Sequence, residues 1–108
     1  MRAMLPRAYG SLMKGTFAVL WSLRGELHTG SLEALRDRLE LRARGRTLSI
    51  PVAAVEKCTI ERGASARIRG LPVLSLELAD GALVRIASLE SITVLNDLAG
   101  LLAAPVLA

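Results

Sequence analysis

Leu71-Pro72-Val73-Leu74-Ser75-Leu76-Glu77-Leu78-Ala79-Asp80-Gly81-Ala82-Leu83-Val84-Arg85-Ile86-Ala87-Ser88 is the stretch that decides the fold. Leu74, Leu76 and Leu78 alternate with Val73, Ser75 and Glu77, the period of a strand with one face buried. Ala79-Asp80-Gly81 reads as a turn, since Asp and Gly tolerate the backbone angles of a tight reversal. Val84 and Ile86 then alternate with Leu83 and Arg85. Two such runs around a turn predict an antiparallel hairpin. Ser88 has the side chain of an N-cap, with Glu90 in the first turn to suit the helix dipole. An amphipathic helix is expected from there to about Ala103. Ile92, Leu95, Leu98 and Leu102 recur at helical spacing and leave Ser91, Asn96 and Gly100 outside. Gly100 weakens the last turn, and Pro105 is expected to end the helix.

Upstream, the alternation continues. Thr16–Leu23 carries Phe17, Val19 and Trp21 on one face and Ala18, Leu20 and Ser22 on the other, a strand buried on both sides. Arg24-Gly25 breaks it, and Glu26–Leu35 resumes with an interruption at Gly30. Residues 33–42 fit two patterns. Leu32, Leu35, Leu39 and Arg42 make a helical stripe, whereas Leu39 and Leu41 alternate with Arg38, Glu40 and Arg42 as a half-buried strand would. Ala43-Arg44-Gly45-Arg46 is a turn signal, and Leu48 and Ile50 alternate after it. A hairpin from Arg38 to Ile50 is therefore the economical reading. Pro51 stops that strand. Val52 to Val55 is an apolar corner, and Glu56–Arg62 is a further strand with Cys58 and Ile60 inward. Gly63–Gly70 is expected to be a mobile loop kept soluble by its arginines. Residues 1–15 form an irregular apolar leader, residues 16–104 one domain, and residues 105–108 an apolar tail.

The order is thus about seven short antiparallel strands and then one helix. Gly30-Ser31-Leu32-Glu33-Ala34-Leu35-Arg36-Asp37-Arg38-Leu39-Glu40-Leu41 resembles the opening of pleckstrin-homology-like (PH-like) and GRAM-like domains: an apolar strand, a turn, then a strand beginning Arg-Leu. Leu48-Ser49-Ile50-Pro51-Val52-Ala53-Ala54-Val55 resembles the Ile-Pro step that follows in bacterial members. The likeness covers roughly residues 16–104. It implies a mainly β (α+β) fold, a PH-like barrel capped by one C-terminal helix that plugs an open end of the bent sheet. It also implies binding or scaffolding rather than catalysis. The best-known activity of the family is phosphoinositide binding by basic residues of the first strand–loop–strand. Here that stretch, Trp21–Leu32, holds only Arg24 and His28, with Glu26 between them, so recognition by that route is not expected.

Composition narrows the function classes. A chain of 108 residues, 52% of them hydrophobic, makes one domain with a real core. Phe17, Trp21 and Tyr9 are the only aromatics, so stacking platforms for single-stranded nucleic acid are scarce. The net charge is +4, and 12 of the 14 basic residues are Arg. Ten acidic residues are interspersed with them, which defeats a single-sign field. A lone cysteine, Cys58, cannot form an internal disulfide, and the expected compartment is the cytoplasm. No run approaches the ~20 apolar residues of a membrane span.

Candidate sites are few. His28 with Glu26 or Glu33 is too little for general-base catalysis, and one His with one Cys has no metal-ligand spacing. Neither phosphate-loop glycine motif occurs. No cofactor is expected. Arg36, Arg38, Arg42, Arg44 and Arg46 are the densest basic group. In the hairpin reading Arg38 and Arg42 share its outer face, and Arg44 and Arg46 sit at its tip. Arg42, Arg44 and Arg46 are the candidate contacts for anionic lipid or a phosphorylated ligand, although Asp37 and Glu40 suit a solvated, internally paired face better. Leu101, Leu102, Val106 and Leu107 belong to an uncharged apolar tail and are candidate protein contacts. The expected partner is a protein, or a second copy of this chain.

Overall fold

The computed structural model describes residues 15–107, and the side chains of residues 15–102. Its strands are β1 (Thr16–Leu23), β2 (Glu26–Ala34), β3 (Arg38–Ala43), β4 (Arg46–Pro51), β5 (Val55–Glu61), β6 (Val73–Leu78) and β7 (Leu83–Ser88). All pair antiparallel in one sheet of order β4-β3-β2-β1-β7-β6-β5, curled into a half-barrel. One helix, α1 (Ile92–Leu107), follows. The expected mainly β fold with a single C-terminal helix is the fold observed.

The predicted hairpin forms: Leu74 lies opposite Ile86 and Leu76 opposite Val84. Residues 33–42 are not helical. Glu33 pairs with Glu40 across β2 and β3, and Leu41 with Leu48 across β3 and β4. Arg24 and Gly25 both take positive φ, 54° and 82°, as a two-residue hairpin turn requires.

Alternation sorts the sheet into two faces. On the concave face Trp21, Leu32, Leu41, Leu74 and Ile86 are wholly buried, and α1 closes over them with Leu95, Leu98 and Leu102. Each such burial contributes roughly 1.5–3 kcal/mol. The helix lies on β5, β6 and β7. On the convex face Leu20 and Ala87 also need cover, and the segment between β5 and β6 supplies it. Ile68 and Leu71 pack there with Val73. Their backbones exchange hydrogen bonds, Leu71 N–H to the Ile68 carbonyl at 2.8 Å and the reverse at 3.1 Å. Arg67 donates to the carbonyls of Arg62 and Gly70 at 3.1 and 2.6 Å. The stretch expected to be a mobile loop is instead a strap, because β1 and β7 are apolar on their outer face too.

The helix begins later than expected. Ser88 stays in β7, opposite Val19, and its hydroxyl accepts from the N–H groups of Glu90 and Ser91 at 3.1 and 3.0 Å. Ser91 is the N-cap, accepting from Thr93 N–H at 3.1 Å. Glu90 lies ahead of the first turn, where its carboxylate accepts from Ala18 N–H at 2.7 Å. With that shift Ile92 is exposed and Val94 buried. The helix also continues through Pro105 to Leu107. A proline so near the C-terminus of a helix forfeits one bond, to the Leu101 carbonyl, in a turn whose carbonyls are largely open.

Candidate functional site

By register, the Arg24-Gly25 and Arg44-Gly45 turns lie at one end of the sheet, and the strap between β5 and β6 lies at the other. Arg62, Arg67 and Arg69, in and beside the strap, therefore stay apart from the arginines of these turns.

Arg38 and Arg42 share the outer face of β3, but neither is free. Glu33 and Glu40 stand directly opposite one another on neighbouring strands, an unfavourable like-charge pair. Arg42 offsets it by reaching Glu33 at 3.1 Å and bonding Glu40 as well. Arg38 pairs with Glu40 at 3.1 Å and Asp37 at 3.2 Å. The bond to Glu40 is the main reason that the Arg38 guanidinium holds its proton even more firmly than usual. Arg46 approaches Glu26 at 3.6 Å. Of Arg42, Arg44 and Arg46, only Arg44 forms no ion pair among the described residues. The tip thus offers one unengaged guanidinium, with the exposed Arg24 on the adjacent turn.

The leucines of the tail are also placed differently from expectation. Leu102 is 2% exposed inside the barrel core, and Leu101 is half-buried against it. Leu102 is thus intramolecular packing and not a subunit contact. The side chains of Val106 and Leu107 lie outside the described residues, as do leader residues 1–14. Exposed large apolar side chains occur on the sheet, at Leu27 and Leu83, and just before and at the start of α1. Leu89 and Ile92 are 47% and 36% exposed. With Leu71, Pro72 and Leu95 they line a cleft of about 340 Å³.

A second, more polar groove of about 800 Å³ crosses the convex face of β5, β6 and β7 beside the strap. Lys57, Thr59, Ser75 and Arg85 line its floor, and Arg62 and Ser65 its strap side. These residues interrupt apolar strands as the outward half of the alternation. Only the register brings Lys57, Thr59, Ser75 and Arg85 together, so the sequence did not single those four out.

His28 packs its ring against Trp21, its cross-strand neighbour, with centroids 4.5 Å apart. Glu26 Oε1 lies 3.4 Å from His28 Nε2, without the alignment of a hydrogen bond. Cys58 is half-buried against the core, and that burial pushes its thiol pKa up. Among the described residues there is no group of His, Cys, Asp and Glu side chains that could hold a metal ion. No described helix is long and apolar enough to cross a membrane.

No protein-family model matches this sequence. No curated protein matches it either. Its fold is similar to a solved structure, the C-terminal domain of an unknown protein from Leishmania infantum. The TM-score is 0.65 at 13% sequence identity, over 89% of this chain and 92% of that one. The likeness is one of fold.

Proposed function

We propose that the protein is a non-enzymatic binding module of the PH-like kind, acting in the cytoplasm through protein contacts, with a second copy of itself as the first partner. The observation that carries this reading is the cleft between the Leu71-Pro72 segment ahead of β6 and the start of α1. Leu89 and Ile92 stand out into solvent there, although the helix has its own core to fill. Apolar side chains clustered around a concave surface are the usual anchors of a subunit contact. The curled sheet with its one closing helix supports the PH-like assignment. His28, stacked on Trp21, is better explained as part of the barrel wall than as a base.

The test is the solution mass by light scattering, for the intact chain and for a Leu89→Asp, Ile92→Asp variant. The intact chain is expected as a dimer or larger, and the variant as a folded monomer. A monomeric intact chain would remove self-association from the reading.

The exposure of Arg24 and Arg44 on adjacent turns favours a second reading, a peripheral contact with anionic lipid or a phosphorylated ligand at that tip. The pairing of Arg42 with Glu33 and Glu40 weighs against it.

A further inference from the structure

We propose that the convex groove of β5–β7 is a binding site for the phosphate group of a small phosphorylated polyol, with Arg85 and Ser75 as its principal contacts. This site is separate from the cleft at α1 and from the arginine tip.

Register builds the site. Ser22, Arg85, Ser75 and Thr59 stand in one row across β1, β7, β6 and β5, all on the convex face. Of this row Arg85, Ser75 and Thr59 line the groove, which sets a guanidinium fork beside two hydroxyls, a donor set suited to a tetrahedral oxyanion. Arg85 is half-buried and donates to the Ala66 carbonyl of the strap. Among the described residues no carboxylate pairs with Arg85, Lys57 or Arg62, whereas Arg38, Arg42 and Arg46 are all paired. The remaining donors of Arg85 lack an anion on a wall that also carries Arg62, and Lys57 opposite Glu77.

Ser75 adds an independent observation. The residue is 7% exposed, and its Oγ has no hydrogen-bond partner. A buried hydroxyl left unpaired keeps its desolvation cost without the bond that would offset it. Leu74 and Leu76 point into the core, so Ser75 points the other way, into the groove that it lines. A phosphate oxygen satisfies this hydroxyl as the Arg85 fork turns from the Ala66 carbonyl to the anion. Glu61 and Glu77 also line the groove. They repel a bare anion but accept hydrogen bonds from the hydroxyls of a polyol. The groove spans three strands and the strap, room for such a body rather than phosphate alone.

The experiment is an amide NMR titration of the full chain with inorganic phosphate, glucose 6-phosphate and glucose. Saturable shifts are expected at Thr59, Ser75, Arg85 and residues 62–66, with glucose 6-phosphate tighter than phosphate and glucose alone inactive. Arg85→Gln is expected to weaken binding by about tenfold, the effect of one lost charge-assisted hydrogen bond. Because that variant also frees the strap, Ser75→Ala is the decisive one. It keeps the fold and should weaken binding by a few-fold. Absence of saturable shifts, shifts confined to Arg44 and Arg46, or unchanged affinity in Ser75→Ala would each overturn the proposal.

Discussion

Trp21 donates its indole N–H to the main-chain carbonyl of Arg42 at 3.2 Å, from β1 to β3, across the strand that separates them. The bond passes over β2 where β2 carries Gly30. A Cβ built on Gly30 would fall 1.6 Å from that same Arg42 oxygen. The missing side chain is therefore what lets β3 turn its carbonyl inward. The buried indole gains its partner by that route, and the sheet gains a bend where it curls.

Gly30→Ala is accordingly expected to destabilise the fold by roughly 2 kcal/mol or more, since only backbone can yield. Trp21→Phe should cost less, because it removes the donor and leaves the bend. Urea denaturation of both variants checks the order.

On the opposite face of the same strands, Arg42 separates two facing carboxylates. Arg42→Ala should therefore destabilise the protein by about 1 kcal/mol or less, the range of exposed ion pairs. Adding Glu33→Gln should restore part of the loss, because it removes the repulsion that Arg42 offsets. Additive effects in the double-mutant cycle would contradict this coupling.

The paired state of Arg42 also sets the expectation for lipid. Sedimentation with anionic vesicles is expected to be weak or absent. Any binding should fall with added salt, because each surface contact is worth only ~1 kcal/mol and is screened. It should fall in Arg44→Ala and not in Arg42→Ala.

Much of this fold was legible because a half-buried strand writes its period into the chain. Leu39, Leu41, Leu48 and Ile50 indicated the hairpin that a helical stripe through Leu35 and Arg42 contested. Three things were not legible, each because it depends on distant partners. Ser88 looks like a helix cap by local rules, but its pairing with Val19 holds it in the sheet and passes the cap to Ser91. Ile68 sits in a stretch with the composition of a solvated loop, and only the apolar outer face of β1 and β7 draws it down. The groove residues Ser75 and Arg85 are adjacent only through strand pairing. Leu102 shows the reverse error. Its place in a run of apolar residues suggested an outer contact, whereas its helical spacing from Leu95 and Leu98 had already assigned it to the core.

Cys58 gives a chemical test of burial under α1. Thiol reagents attack the thiolate, and burial pushes the thiol pKa up, so labelling of the native protein should be slow and that of the unfolded chain fast. The linked stability has a definite sign. As pH rises through the ordinary thiol range, the unfolded chain sheds this proton first, so the folded state loses stability. Rapid native labelling would contradict the placement of Cys58 against the core.

Ile92 and Leu102 stand on one helix with opposite surroundings, and that contrast separates folding from assembly. Leu102 is sealed inside the barrel, whereas Ile92 borders the open cleft with Leu89. Leu102→Ala should cost about 2–5 kcal/mol in thermal or urea unfolding, the range for a buried leucine. Ile92→Asp should cost little, because a charge at an exposed helix position stays hydrated. The solution mass should respond in the other order. Ile92→Asp should lower it towards the monomer, because a subunit contact would bury that charge without a partner. Leu102→Ala should leave it unchanged at temperatures where the variant remains folded. Equal effects of the two substitutions on mass would mean that assembly depends on the fold as a whole and not on the cleft.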